Sequence, residues 1–119
     1  MLAKKRRLKF YEIELVKKTG QHYSTPFFSL LYCKSSGISR FASVFSRKID
    51  KRATVRNRAK RLLMGTVREM LEEIKEGYLF LFLAKRTIIG QEKDILREAI
   101  TKAFSEINLL RQKSDLDIK

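Results

Sequence analysis

The chain has 119 residues, 44% of them hydrophobic, and a formal net charge of +14 from 27 basic and 13 acidic side chains. That is enough apolar material for one folded domain, and it excludes wholesale disorder. No apolar run reaches the roughly 18 residues that a membrane-spanning helix needs, and a lone cysteine, Cys33, excludes an intrachain disulfide.

One domain over residues 1–119 is expected, with 1–7 as a flexible basic arm and 111–119 as a flexible tail. Glu12 and Glu14 interrupt the apolar stretch that a secretory leader would require, so none is expected. A single thiol fits a reducing, cytoplasmic setting. Phe10 to Lys18 reads as a short helix, stopped at Thr19-Gly20-Gln21. Phe27 to Cys33 reads as a strand, Lys34 to Gly37 as a turn, and Arg40 to Arg47 as a second strand. A long helix follows, with Thr54 as its N-cap and Gly77 as its stop. Val55, Ala59, Leu62, Leu63, Thr66, Met70 and Ile74 recur at helical spacing and form its apolar face. Tyr78 to Ala84 is continuously apolar and reads as a buried central strand. Lys85 to Gly90 is a loop, and Gln91 to Leu110 is a last helix with Leu96, Ile100, Ala103, Ile107 and Leu110 at helical spacing. The pattern is an α/β (α+β) two-layer sandwich with a βαβ unit.

The charge is unevenly placed. Residues 1–61 hold 17 basic and 3 acidic side chains, whereas residues 62–119 hold 10 of each. The whole excess of +14 therefore lies in the first half, where it repels itself and calls for a polyanionic partner. Nucleic acid is the usual one, through counterion release at each neutralised phosphate. The densest stretch is Arg47 to Arg61, with eight bases and one acid, Asp50. On the long helix, Asn57, Arg61 and Arg68 point away from the apolar face, with Arg58 on one flank and Arg56 and Lys60 on the other. Arg47, Lys48, Lys51 and Arg52 lie in the approach. Arginine forks hold phosphate with paired hydrogen bonds, and an asparagine between them contacts a base edge or a ribose hydroxyl.

Lys51-Arg52-Ala53-Thr54-Val55-Arg56-Asn57-Arg58-Ala59-Lys60-Arg61 resembles the signature of the bacterial ribonuclease P protein component. Arg7-Leu8-Lys9, Pro26 to Tyr32 and Gly77 to Lys85 resemble further blocks of that family in order, over about residues 6–110. The resemblance implies the order α-β-β-β-α-β-α, a small mixed sheet and a left-handed βαβ crossover. It also implies a subunit that binds the ribonuclease P RNA and the 5′ leader of precursor tRNA. It assists endonucleolytic removal of that leader, while the RNA performs the hydrolysis with bound Mg2+. A cleft between the sheet and the first helix would hold the leader. The family's first helix carries two aromatics one turn apart, and the best-aligned positions here are Ile13 and Lys17. Phe10 and Tyr11 either take that role from a shifted helix or pack into the core. Tyr32 is expected to face the cleft.

No catalytic residue, protein-bound metal site, membrane or obligate protein partner is expected. His22, the only histidine, falls in an expected loop without a second ligand nearby. Glu69, Glu72, Glu73 and Glu76 read as a solvated face offsetting Arg68 and Lys75. Cys33 reads as a buried strand thiol. The alternative is a structural RNA-binding protein of ribosomal type, which needs a docking face but no groove. A protein nuclease would need carboxylates beside the ridge, and only Asp50 is there.

Overall fold

The computed structural model describes residues 2–111. The helices are α1 (Phe10–Thr19), α2 (Ala53–Glu69) and α3 (Lys93–Glu106), and the strands are β1 (Gln21–Ser24), β2 (Phe28–Lys34), β3 (Arg40–Val44) and β4 (Tyr78–Ala84). The strands form one mixed sheet in the order β1-β2-β4-β3, with β3 and β4 parallel and the other pairs antiparallel.

The sheet has two unequal faces, because alternate residues of each strand point to opposite sides. Phe28, Leu30, Phe41, Phe80 and Phe82 face α2 and α3 and meet Leu63, Val67, Leu96, Ile100 and Phe104 in the main core. Leu79 and Leu81 face α1 and meet Val16, with Ile13, Leu31 and Cys33 packed around them. β4 is thus buried on both sides, which is why it reads as an unbroken apolar run.

The hand of the β3-α2-β4 connection follows from the register. Lys85 N–H donates to the Phe27 carbonyl at 2.9 Å, so odd residues of β4 aim their backbone groups at β2 and even residues aim theirs at β3. The even residues Phe80 and Phe82 point their side chains at α2. For L-residues this puts β3 to the right of β4, viewed from the α2 side with both strands pointing up. The chain steps leftward through α2. The crossover is left-handed, against the general right-handed rule.

Several elements differ from the sequence reading. Residues 2–7 are not a flexible arm. Leu2 is only 5% exposed in the main core, Leu8 N–H donates to the Phe41 carbonyl at 3.0 Å, and Arg6 makes a bidentate pair with Glu76 at 2.8 and 3.0 Å. At the other end Arg111 N–H donates to the Glu73 carbonyl at 2.7 Å, and the rest of the expected tail, 112–119, lies outside the described residues. His22 lies on β1 rather than in a loop. Arg52, not Thr54, stands at the N-cap position of α2 and provides no side-chain cap. α2 ends at Glu69, and a 3-10 turn at Leu71–Glu73 replaces the helical continuation to Gly77. α3 is shorter than Gln91–Leu110, because Asn108 at φ 61° turns the chain back and Leu109 N–H donates to the Phe104 carbonyl at 2.8 Å.

Three of the four glutamates pair with residues other than Arg68 and Lys75, and among the described residues Glu72 has no ion-pair partner. Glu69 pairs with Lys93 and Arg97, Glu73 with Arg97, and Glu76 with Arg6 and Arg111. Lys93 and Arg97 belong to α3, so these pairs tie the end of α2 to α3.

Candidate RNA interface

The first turns of α2 carry a cationic ridge on a packed back. Ala59, Leu63, Met64, Thr66 and Val67 are buried, whereas Asn57, Arg58, Lys60, Arg61 and Arg68 are exposed on the opposite side. The Thr66 hydroxyl satisfies itself on the Leu62 carbonyl at 2.7 Å, so it lies in the core without an orphaned donor. Among the described residues no carboxylate lies within 4 Å of Arg58, Lys60, Arg61 or Arg68, nor of Arg47, Lys48 or Lys51 in the approach. These charges stay available to a polyanion.

Two arginines of the expected set are partly committed to the loop. Arg56 is half-buried, and its Nη1 donates to the Asp50 and Lys51 carbonyls at 2.8 and 3.0 Å. Arg52 donates through Nε and Nη2 to the Asp50 carboxylate at 3.0 and 2.9 Å. That guanidinium lowers the Asp50 carboxyl to about 2, helped by the Arg52 backbone N–H. Asp50 is therefore an anionic staple that shapes the loop. Arg86 Nε holds the same loop by donating to the Lys48 carbonyl at 2.8 Å. Sequence reasoning had no signal for Arg86, which lies 38 residues away. Beside the ridge, a concavity of about 480 Å3 has Arg52, Arg58, Val55, Leu62 and Ile88 in its lining.

A second concavity, of about 270 Å3, lies at the outer edge of β3, where Arg7 forms a parallel bridge with Phe41, between α1 and α2. Leu8, Ile13, Phe41 and Met64 make its walls, with Arg7 and Lys60 among its lining residues. Ser43 also belongs to its lining, but its side chain shares the core face with Phe82, and among the described residues its hydroxyl oxygen is buried without a partner. Lys60 joins this groove to the ridge, since it belongs to α2.

The expected cleft residues divide. Ile13 lines the groove, and Lys17 is exposed on α1. Phe10 and Tyr11 are 80% and 65% exposed, so they are not core residues. Glu12 and Val16 take the buried side of α1 instead. Glu12 accepts from the Lys9 N–H at 2.8 Å and pairs with Arg40, which gives its buried carboxylate two partners. Tyr32 does not face the cleft. It packs on the α3 side of the sheet, and its hydroxyl bonds to Gln21 Oε1 at 3.0 Å. The register decides this, because Tyr32 pairs with Phe80 and shares its face. Cys33 is half-buried on the α1 side, where desolvation raises its thiol pKa.

A family model described as Ribonuclease P matches residues 2–108. The chain is 32% identical over 102 residues to a ribonuclease P protein component of Thermoanaerobacter sp. (strain X514), covering 85% of this chain and 87% of that protein. A shorter similarity, 36% over 72 residues, to the ribonuclease P protein component of Microcystis aeruginosa covers 56% of this chain and 60% of that one, under two thirds of its length. Among solved structures, the RNase P protein of Staphylococcus aureus overlays with a TM-score of 0.78 at 15% identity, covering 89% of this chain and 98% of that chain. The RNase P protein of Thermotoga maritima overlays with a TM-score of 0.73 at 24% identity, covering 81% and 92%. At those identities the two structures speak for the fold, and the family model and the Thermoanaerobacter relative carry the family itself. The chain belongs to the ribonuclease P protein family.

Proposed function

We propose that this chain is the protein subunit of ribonuclease P, a ribonucleoprotein endoribonuclease, and that it holds two RNAs on two adjoining surfaces. The ridge of Asn57, Arg58, Arg61 and Arg68, with Arg47, Lys48 and Lys51 beside it, takes the catalytic RNA. The observation that carries this reading is a row of cations without carboxylate partners, mounted on a helix whose other side is fully packed. A packed helix presents these cations on an already ordered backbone, so binding RNA costs side-chain ordering only.

The groove at the β3 edge takes the single-stranded 5′ leader of precursor tRNA. Its apolar walls suit an unstacked base, and Arg7 and Lys60 suit the flanking phosphates. Phe10 and Tyr11 supply exposed rings on α1 for further stacking. Hydrolysis falls to the RNA with bound Mg2+. Of the three acids of the basic half, Glu12 and Asp50 are each engaged by an arginine, and Glu14 is exposed on α1.

The test compares precursor with mature tRNA. A holoenzyme assembled with this protein should bind the precursor more tightly, and the RNA alone should show little preference. Equal affinity for both substrates in the holoenzyme would remove the leader site.

A further inference from the structure

Packing of residues 2–9 beside β3 creates a second cationic groove, of about 480 Å3. Its lining holds five cations, Lys4, Lys5, Arg7, Lys9 and Arg40, and no acid. Among the described residues none of Lys4, Lys5, Arg7 and Lys9 has a carboxylate within 4 Å. Arg40 is paired with Glu12, yet its Nε is buried without a partner. A solvated surface looks different. The groove along α3, of about 590 Å3, mixes Asp94, Glu98 and Glu106 with Arg97 and Lys102.

Position narrows the ligand. Arg7 and Leu8 line both this groove and the one at the β3 edge, so the two adjoin. α2 leads back to the start of a parallel neighbour and so runs against the strands. Its ridge therefore sits near the Val44 end of β3, whereas Ile38 and Arg40 lie at the opposite end. The second groove is thus the far end of a track that begins at Lys60. Its cations are mostly lysines, point charges that accept phosphate in any orientation, and its lining contains no aromatic ring to select a base.

We infer that this groove holds phosphates of the 5′-distal part of the leader, so that the protein reads leader length without reading leader sequence. The inference rests on the proposed leader site. A strand leaving the cleavage site passes Lys60 and Arg7 first and reaches Lys4, Lys5 and Lys9 only when it is long enough.

The experiment uses the reconstituted holoenzyme and two precursor tRNAs, one with a leader that ends within the first groove and one that runs past it. The parent protein should bind the long leader more tightly, and randomising the distal sequence should not alter the preference. The variant Lys4→Ala/Lys5→Ala/Lys9→Ala should lose roughly tenfold in that preference, with a salt slope for the long leader shallower by about 0.7 per lost contact. The variant Lys34→Ala/Lys75→Ala/Lys102→Ala removes the same charge elsewhere and should keep the preference. A triple groove variant that retains the preference overturns the inference while leaving the leader site standing. So does one that weakens long and short leaders equally, which would assign the groove to the catalytic RNA. A parent holoenzyme that does not distinguish precursor from mature tRNA overturns the leader site itself.

Discussion

Asp50 and Arg52 are joined three times across a two-residue span. One carboxylate oxygen accepts the Arg52 backbone N–H at 2.9 Å and its Nε at 3.0 Å, and the other accepts Nη2 at 2.9 Å. The only acid in the basic stretch is therefore part of the scaffold that aims the bases. Two substitutions separate shape from charge. Asp50→Asn keeps an oxygen for the Arg52 N–H and frees the guanidinium, so RNA affinity should rise. Asp50→Ala adds the same net charge without the turn and should bind more weakly than the asparagine variant. Equal affinities in a filter-binding titration would mean that the turn does not organise the ridge. The carboxyl is depressed to about 2, so its contribution is complete above the ordinary aspartate range and disappears as pH falls through about 2.

Arg56 and Arg58 should separate in the same manner. Arg58→Ala should make the slope of log affinity against log salt shallower by about 1 with little change in thermal stability. Arg56→Ala should also lower the melting temperature, because its guanidinium holds the Asp50 and Lys51 carbonyls. A loss of about 1 kcal/mol corresponds to roughly 4 °C for a domain of this size. Calorimetry on both variants checks this, and an unchanged melting point for Arg56→Ala would return it to the phosphate-binding set alone.

Phe10 and Tyr11 are large, exposed and beside the basic segment. Removing both rings should leave the free energy of unfolding within about 0.5 kcal/mol of the parent, as expected for surface sites. Precursor binding by the holoenzyme should weaken by about 1–3 kcal/mol per lost stack. Unfolding curves and precursor titrations of Phe10→Ala/Tyr11→Ala give both numbers. A large loss of stability would place these side chains in the fold after all.

Much of the fold was legible because burial imposes a period. Tyr78 to Ala84 could only be a central strand, and Ala59, Leu63 and Thr66 mark the inner side of α2 wherever the helix ends. The misreadings share a physical cause, which is information held far away in the chain. Arg6 looks like part of a mobile arm until Glu76, 70 residues on, supplies its partner. Met70 and Ile74 keep helical spacing although the chain has already entered a 3-10 turn, because both still reach the core. β1 is short, polar and at the sheet edge, so Gln21 to Ser24 shows no apolar alternation. The face of Tyr32 is ambiguous in sequence because β2 carries apolar residues on both sides, and only its register with Phe80 separates them. The cationic ridge was readable as composition, whereas the loyalty of Arg52 and Arg56 to the loop was not.

The Arg6–Glu76 clasp makes a prediction about pH. Glu76 is lowered first by the Arg6 hydrogen bond and next, against burial, by the Ser39 N–H. Stability from a depressed carboxylate is fully present above the ordinary glutamate range of about 4.3 and is lost as pH falls through the folded value. Glu76→Gln should therefore remove part of the acid sensitivity of folding and speed hydrogen exchange at the Leu8 N–H, which the Phe41 carbonyl holds. Unchanged exchange at Leu8 would mean that the N-terminal segment is anchored by Leu2 alone.

The central claim is that this chain is the protein half of ribonuclease P. The most direct measurement is cleavage of a precursor tRNA by a bacterial ribonuclease P RNA at low magnesium, with and without the protein. The account predicts faster release of the leader at the mature 5′ end when the protein is present, and loss of that gain on replacing Arg58 and Arg61 with alanine. Cleavage no faster than with RNA alone, by a protein that binds the RNA tightly, would contradict it and leave a purely structural RNA-binding role.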